Sequence, residues 1–366
     1  MVDEKYFIGC STSRGYSCAV KDMLADTSNT AYILKGVPGS GKSTLMKKIS
    51  DSFPEKPKQI FYCSENPDRI DALYFRDIHL LIVDGTYPHD IDPTYPKGVQ
   101  SIIDLGSYIN ASALQEKKDE IIALTDKSIS LYRRCRLCLA AVAPVAEDIR
   151  TTAYSILDKE KLTAFSIRTA KRFIPKGTQR SLPMGKTEYR CISAMTPKGY
   201  QSFIPSSCKI VLIDDDSMTA SDIFIGTAAG IFVNKGYDVI CGECLLAYSP
   251  ILEHMIVPEL SLVFVTTGFL NDACVEEAVK SINLRRFYDN TVYDVSPQLK
   301  KRMRFGKKAT AELIDESASM LRAAMHTQKR LESIYTENAD FDGLNRLAYK
   351  LISEIRGMPQ AEINGI

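Results

Sequence analysis

No stretch of the 366-residue chain is apolar for long enough to cross a bilayer as a helix. The opening residues, Met1-Val2-Asp3-Glu4-Lys5, lack the basic and apolar regions of a signal peptide, so export is not expected. An excess of one charge is missing too. Forty-six lysines and arginines meet 45 aspartates and glutamates, a formal net charge of +1, which gives no global pull toward nucleic acid or an acidic membrane. The ten cysteines are scattered over a long chain rather than set in a small disulfide-rich frame. These absences predict a soluble cytoplasmic protein with reduced thiols, no membrane and no nucleic-acid partner. Apolar residues at 45% and charged residues at 25% allow a sizeable core, and the length suits two domains.

What the chain does have is a duplication. Tyr6-Phe7-Ile8-Gly9-Cys10, then Thr12-Ser13-Arg14-Gly15-Tyr16, is echoed by Tyr189-Arg190-Cys191-Ile192-Ser193 and Thr196-Pro197-Lys198-Gly199-Tyr200. Strand-like runs then recur in order. Tyr32-Ile33-Leu34 answers Ile210-Val211-Leu212, Phe61-Tyr62-Cys63 answers Val239-Ile240-Cys241, and Leu80-Leu81-Ile82-Val83 answers Leu262-Val263-Phe264-Val265. Ile103-Asp104-Leu105 has its echo in Ile282-Asn283-Leu284. Five matches in register predict two copies of one module, residues 1–185 and 186–366.

Each copy ends in a predicted helical hairpin, at about 112–173 and 297–357. Ile121, Leu124, Ser128, Leu131, Cys135, Cys138 and Val142 step by three and four, a helix-packing stripe that Pro144 is expected to interrupt. Ile314, Ser317, Leu321, Ala324, Gln328, Leu331 and Tyr335 repeat the period, with Asp342-Gly343 as the expected turn. Nearly continuous apolar strands alternating with helices predict parallel sheets flanked by helices, an α/β fold.

The first copy carries Gly36-Val37-Pro38-Gly39-Ser40-Gly41-Lys42-Ser43-Thr44 between an apolar strand-like run and a helix-like run. This fits G-x-x-x-x-G-K-[ST] in full. Glycines let backbone N–H groups wrap phosphate oxygens, Lys42 reaches the outer phosphates, and the Ser43 hydroxyl faces Mg²⁺. A nucleoside triphosphate site is predicted. Leu80-Leu81-Ile82-Val83-Asp84 describes a buried strand with a carboxylate at its tip, where Asp84 would share the Mg²⁺ with Ser43.

Hydrolysis also needs a group that orients or deprotonates water. Gly85 stands where many ATPases of this kind carry glutamate. The candidates nearby are His89, Asp90 and Asp92, with Glu65 and Asp68 after the second strand as bases a kinase would use.

The second copy has lost this equipment. Asp214-Asp215-Asp216-Ser217-Met218-Thr219-Ala220-Ser221 lies across from the phosphate loop with no glycine and no lysine, and Thr266 replaces Asp84. Carboxylates there would repel phosphate. The three acids are expected to form a solvated turn.

Weaker features receive plainer readings. The spacings Cys135/Cys138 and Cys241/Cys244 are read as packing cysteines rather than a thiolate metal site. The run Lys300–Lys308 is read as a solvated helix start, and His254 and His326 as ordinary. Arg14 and Lys198 recur in both copies as basic residues beside glycine, open to a finger-like role or a simple turn.

With its lead-in, its Gly-x-Pro-Gly-Ser-Gly-Lys-Ser loop, its Asp84-Gly85-Thr86-x-Pro88-His89 segment and its duplication, the chain resembles a poorly characterised bacterial family of tandem phosphate-loop ATPase-like proteins. The resemblance covers nearly the whole length. It implies two tandem phosphate-loop modules, ATP and Mg²⁺ as ligands, and ATPase activity. The departure at Asp214–Ser221 leaves one intact site. The expected function is slow Mg²⁺-dependent ATP hydrolysis in the first module, with Lys42, Asp84 and His89 as its catalytic candidates and the helical hairpins open to a protein partner. The alternatives are a phosphate-loop kinase acting on a small molecule and a nucleotide-responsive scaffold without turnover.

Overall fold

The computed structural model describes residues 4–12, 15–87, 90–176, 183–271, 273, 275, 277–289, 291 and 296–359. The chain opens with β1 (Glu4–Phe7), a small hairpin of β2 (Gly9–Thr12) and β3 (Gly15–Cys18), and α1 (Lys21–Ala25). Then come β4 (Thr30–Lys35), α2 (Lys42–Asp51), β5 (Lys58–Tyr62), β6 (Ile70–Phe75), β7 (Leu80–Asp84) and β8 (Gln100–Asp104). Helices α3 (Lys118–Ser155) and α4 (Lys159–Phe173) follow. The second round repeats the first. It runs through β9 (Thr187–Arg190), the hairpin β10 (Ser193–Thr196) and β11 (Gly199–Ser202), β12 (Lys209–Asp214), α5 (Ala220–Val233), β13 (Val239–Cys244), β14 (Ile251–Val257), β15 (Leu262–Thr267) and β16 (Lys280–Asn283). It ends in α6 (Pro297–Thr336) and α7 (Phe341–Arg356).

Two six-stranded sheets result, ordered β1-β5-β6-β7-β4-β8 and β9-β13-β14-β15-β12-β16. Strand for strand the order is the same. The expected parallel sheets are in fact mixed. In each, β6 or β14 runs antiparallel to both of its neighbours, while the remaining pairs are parallel. Leu80, Leu81, Ile82 and Val83 are all fully buried, as a strand covered on both faces requires.

The chain divides into two compact units, and the dividing line is not residue 185. Unit 1 takes Met1–Cys10, Tyr16–Arg134 and Ser319–Ile366, and unit 2 takes Ser11–Gly15 and Cys135–Ala318. Both boundaries in the second half of each module fall inside a long helix. In unit 1, Leu45, Met46, Ile49 and Phe53 of α2 pack with Leu73, Phe75 and Leu80 of the sheet and with Leu351, Ile352 and Ile355 of α7. Those three α7 side chains contribute roughly 2 kcal/mol each on leaving water. In unit 2, Phe224, Ala228 and Phe232 of α5 pack with Val211 and Phe264 and with Leu162 and Ala170 of α4. Each sheet is therefore covered by a short helix from the other half of the sequence. Helix α3 has 38 residues, about 57 Å at 1.5 Å per residue.

Two helix details differ from expectation, and a third, the basic run at the start of α6, agrees with it. Pro144 lies inside α3 without ending it. The loss of one backbone hydrogen bond there is offset by the buried face on either side, Leu139, Val142, Ala143, Ala146 and Ile149. The turn before α7 comes earlier than Asp342-Gly343. Asp340 caps the helix by accepting from the Gly343 N–H at 2.9 Å, so Asp342 and Gly343 lie in its first turn. The run Lys300–Lys308 sits in α6, where Arg302 pairs with Asp148, Lys307 with Asp216 and Lys308 with Glu312. Both predicted stripes do face inward, every member buried or half-buried.

Candidate functional site

The loop Gly36–Gly41 joins the C-terminal end of β4 to the first turn of α2, which begins at Lys42. Two of its residues adopt backbone conformations that side chains resist: Gly39 at φ 76° and Gly41 at φ 84°. Gly39 is also hemmed in, since a Cβ there would come within 2.7 Å of the Glu332 carbonyl and of the Thr336 hydroxyl. At Gly36 a Cβ would meet Ser40 Oγ at 2.6 Å. Ser40 itself is buried, and its hydroxyl has no hydrogen-bond partner.

Lys42 folds back over the loop. Its ammonium donates to the carbonyls of Gly36 at 3.1 Å and Val37 at 3.2 Å, and lies 3.8 Å from Asp84 Oδ2. Asp84 reaches it from the end of β7, where it pairs in register with Leu34 of β4. One carboxylate oxygen, Oδ1, is held by the Thr86 N–H at 2.9 Å and the Thr86 hydroxyl at 2.6 Å. The Ser43 hydroxyl accepts from the Ile70 N–H at 3.0 Å, which leaves its own proton and a lone pair for another partner.

Beside the loop opens a cavity of about 1140 Å³ with Lys42, Ser43 and Asp84 on its wall. Glu65 and Asp68 line the same cavity. Asp92 does not. It is exposed and bound to Lys35 Nζ at 2.8 Å, and Asp90 is exposed as well. His89 and Arg14 lie outside the described residues. A glutamate in place of Gly85 would not fit, because even a Cβ there would fall 2.9 Å from the Ile91 carbonyl and closer still to Ile33. The missing base is thus a packing requirement of this strand end.

Sequence reasoning missed the far wall. Arg69 and Glu332 form a two-pronged ion pair there, which raises the Arg69 pKa chiefly through those hydrogen bonds. Glu332 is separated from Arg69 by 263 positions, so no local signal could join them. Asp71 and Tyr132 line this side too. Burial first, then the charges of Glu65 and its neighbours, pushes the Tyr132 and Tyr16 hydroxyls well up and keeps them protonated. Cations and carboxylates thus share the cavity wall, Lys42 with Asp84 at the loop end and Arg69 with Glu332 opposite.

The equivalent loop of unit 2 is filled by its own side chains. Asp215 is buried rather than in a solvated turn. Its carboxylate accepts from the Ser221 N–H at 2.8 Å, the Ser217 N–H at 3.3 Å, the Ser217 hydroxyl at 3.2 Å and the Tyr288 hydroxyl at 2.9 Å. The Tyr288 oxygen in turn accepts from the Ala220 N–H at 2.9 Å. Burial and Asp215 together hold the Tyr288 hydroxyl protonated. The N–H groups that open α5 are spent on a carboxylate and a phenol, where unit 1 leaves its loop open.

Thr266, at the place of Asp84, belongs to a different network. It donates its N–H to His254 Nδ1 at 3.3 Å, and Asn271 Nδ2 donates to the Thr266 carbonyl at 3.2 Å. His254 is fully buried with a lowered pKa, burial being the main cause.

Among the described residues, no group of three or more His, Cys, Asp or Glu could by itself hold a metal ion, and no disulfide joins the described cysteines. Burial raises the thiol of Cys244 and pushes that of Cys241 up to about 12, as expected of packing cysteines. No described helix is long and apolar enough to cross a membrane. Comparisons with family models, with curated proteins and with solved structures find no match to this chain.

Proposed function

We propose that unit 1 binds a nucleoside triphosphate, with ATP the expected one, together with Mg²⁺, and hydrolyses it slowly. One observation carries the reading: a left-handed, glycine-dependent loop with a buried orphan hydroxyl stands between a strand end and a helix start, beside Asp84 and open to a large cavity. The backbone N–H groups of Gly39–Ser43 would cradle the phosphates, and Lys42 would exchange two carbonyls for a phosphate oxygen. Hard oxygen donors fit Mg²⁺, and Ser43 and Asp84 would hold it, the rest of its shell coming from nucleotide and water. The ion would neutralise phosphate charge as the bond to the outer phosphorus breaks.

Glu65 and Asp68 line the same cavity as the loop and would be the candidates to orient water. The same placement supports the second reading, phosphoryl transfer to a small-molecule hydroxyl, because both groups share the cavity with the loop. A nucleotide-responsive scaffold remains the third.

A phosphate-release assay without added acceptor tests the first. Steady release that is lost in Lys42→Ala and Asp84→Asn supports hydrolysis at this site, and retention of release in Lys42→Ala overturns it. Binding without release, with turnover appearing on addition of a metabolite extract and lost in Glu65→Gln or Asp68→Asn, selects the kinase. His89→Ala belongs in the same series.

A further inference from the structure

Unit 2 carries a second pocket, of about 390 Å³, lined by Lys161, Phe165, Arg168, Arg172, Arg286 and Phe287. Four cations converge there on an aromatic floor. Arg168 and Arg172 are one turn apart on α4, and Lys161 lies two turns before Arg168, so all three share a face. Like charges at that spacing oppose one another. The fold does little to relieve them: Lys161 pairs with Asp158 at 2.6 Å, whereas no described carboxylate pairs with Arg168, Arg172 or Arg286.

Arg286 is fixed without an acid. Its guanidinium lies 4.3 Å from the Phe165 ring centre and 4.9 Å from that of Phe287. Stacking on two rings sets the plane of the group and leaves its N–H edge unspent. Lys280 stands close by, 5.8 Å over the Phe173 ring. Its pKa is lowered by burial, then by the charges of Arg172 and Arg286.

Unit 1 supplies an internal control. Asp158 and Asp340 cap α4 and α7 in the same way, each accepting from the N–H three residues on. Their own N–H groups bond the carbonyls of Phe287 and Tyr108. Counting from these caps, Lys161 corresponds to Gly343, Arg168 to Lys350 and Arg172 to Glu354. In unit 1 that last pair is neutralised, Lys350 Nζ lying 3.9 Å from Glu354. Arg286 corresponds to Ser107, one residue before Tyr108, and by ladder register Lys280 corresponds to Ser101. The architecture is the same and the charge is absent, so packing does not demand it.

We propose that this pocket of unit 2 is an anion site for the phosphate groups of a small di- or triphosphorylated metabolite, gripped by Arg286 from the turn before α4's N-cap partner and by Arg168 and Arg172 from α4. A fixed guanidinium recognises two phosphate oxygens at once, and two flexible arginines close over the remainder. The volume lies in the range of small-ligand sites. An extended nucleic-acid strand would need a longer basic track with successive stacking faces.

Inorganic tripolyphosphate is the probe, titrated calorimetrically into full-length Lys42→Ala protein, in which binding at the loop of unit 1 is weakened, and the pocket variants are compared in that background. Binding is expected there, and it should weaken at least tenfold in Arg172→Glu and in Arg286→Ser, each of which installs the residue found in unit 1. Arg172 is on an exposed face, so its variant keeps the test valid should Arg286→Ser fail to fold. Tripolyphosphate should also protect Lys280 from acylation, read by mass spectrometry. Absence of binding at millimolar probe, or unchanged affinity in Arg172→Glu, overturns the site. A labelled 12-nucleotide single strand that binds more tightly than tripolyphosphate, and is lost in the same variants, overturns the small-ligand assignment.

Discussion

Units 1 and 2 share a strand order, a helix start and a strand end, and differ in which side chains bond the loop that joins strand to helix within each unit. In unit 1 the loop carbonyls of Gly36 and Val37 take the Lys42 ammonium, and no carboxylate is bonded to the loop N–H groups among the described contacts. In unit 2 the Asp215 carboxylate takes four hydrogen bonds and fills the corresponding place. The topology is thus indifferent to the chemistry at its strand ends. A small number of residues, led by the exchange of a glycine-rich loop for an aspartate, convert an open cradle into a sealed structural joint.

The comparison breaks most sharply at Asp215. Asp215→Ala should leave buried donors unmatched and cost unit 2 about 3 kcal/mol, read as a loss of about two decades in hydrogen-exchange protection of the β12 amides. Unchanged protection would mean the carboxylate does not hold the joint. In unit 1, Lys42→Ala should weaken triphosphate binding about a hundredfold, about 2.7 kcal/mol, and should lower the apo thermal midpoint only modestly, because Lys42 bonds two loop carbonyls and lies 3.8 Å from Asp84. Equal ligand-induced thermal shifts in both proteins would sink the assignment.

A smaller effect is expected at Arg69→Ala, which strands the buried Glu332 carboxylate. Stability should fall by about 2 kcal/mol, and Arg69→Ala with Glu332→Gln should recover part of it in a double-mutant denaturation cycle. The smallest effect separates the units by pH. Burial depresses the His254 pKa from its usual 6.5, so the folded state binds fewer protons than the unfolded one. The stability this contributes to unit 2 is present above about pH 6.5 and is lost as pH falls through the folded pKa. Exchange protection of the β15 amides should drop between pH 7 and 5, and the drop should be shallower in His254→Asn.

Much of this was legible beforehand, for definable reasons. Gly36–Thr44 and Asp84 stand out in the sequence because the phosphate chemistry proposed for them would need particular residue types at fixed spacing. The repeat was legible because buried strands must be apolar twice over. Strand direction was not, since Ile70–Phe75 reads the same either way along the sheet. The inward stripes of α3 and α6 told that these helices are buried, and not which core buries them. Arg69, Glu332 and Tyr288 escaped because their partners lie far along the chain, and a local pattern carries no such information.

The crossed assignment of α4 and α7 makes the two halves of this protein mutual dependents. A fragment ending near residue 185 would hold the intact loop yet lack Leu351, Ile352 and Ile355, the residues that cover α2. The complementary fragment would lack Leu162 and Ala170 over α5. Neither copy of the duplicated module could then be shed, or inherited alone, without uncovering the core of the one that remains. A second module with no open phosphate loop is retained, on this view, because the first cannot stand without its tail.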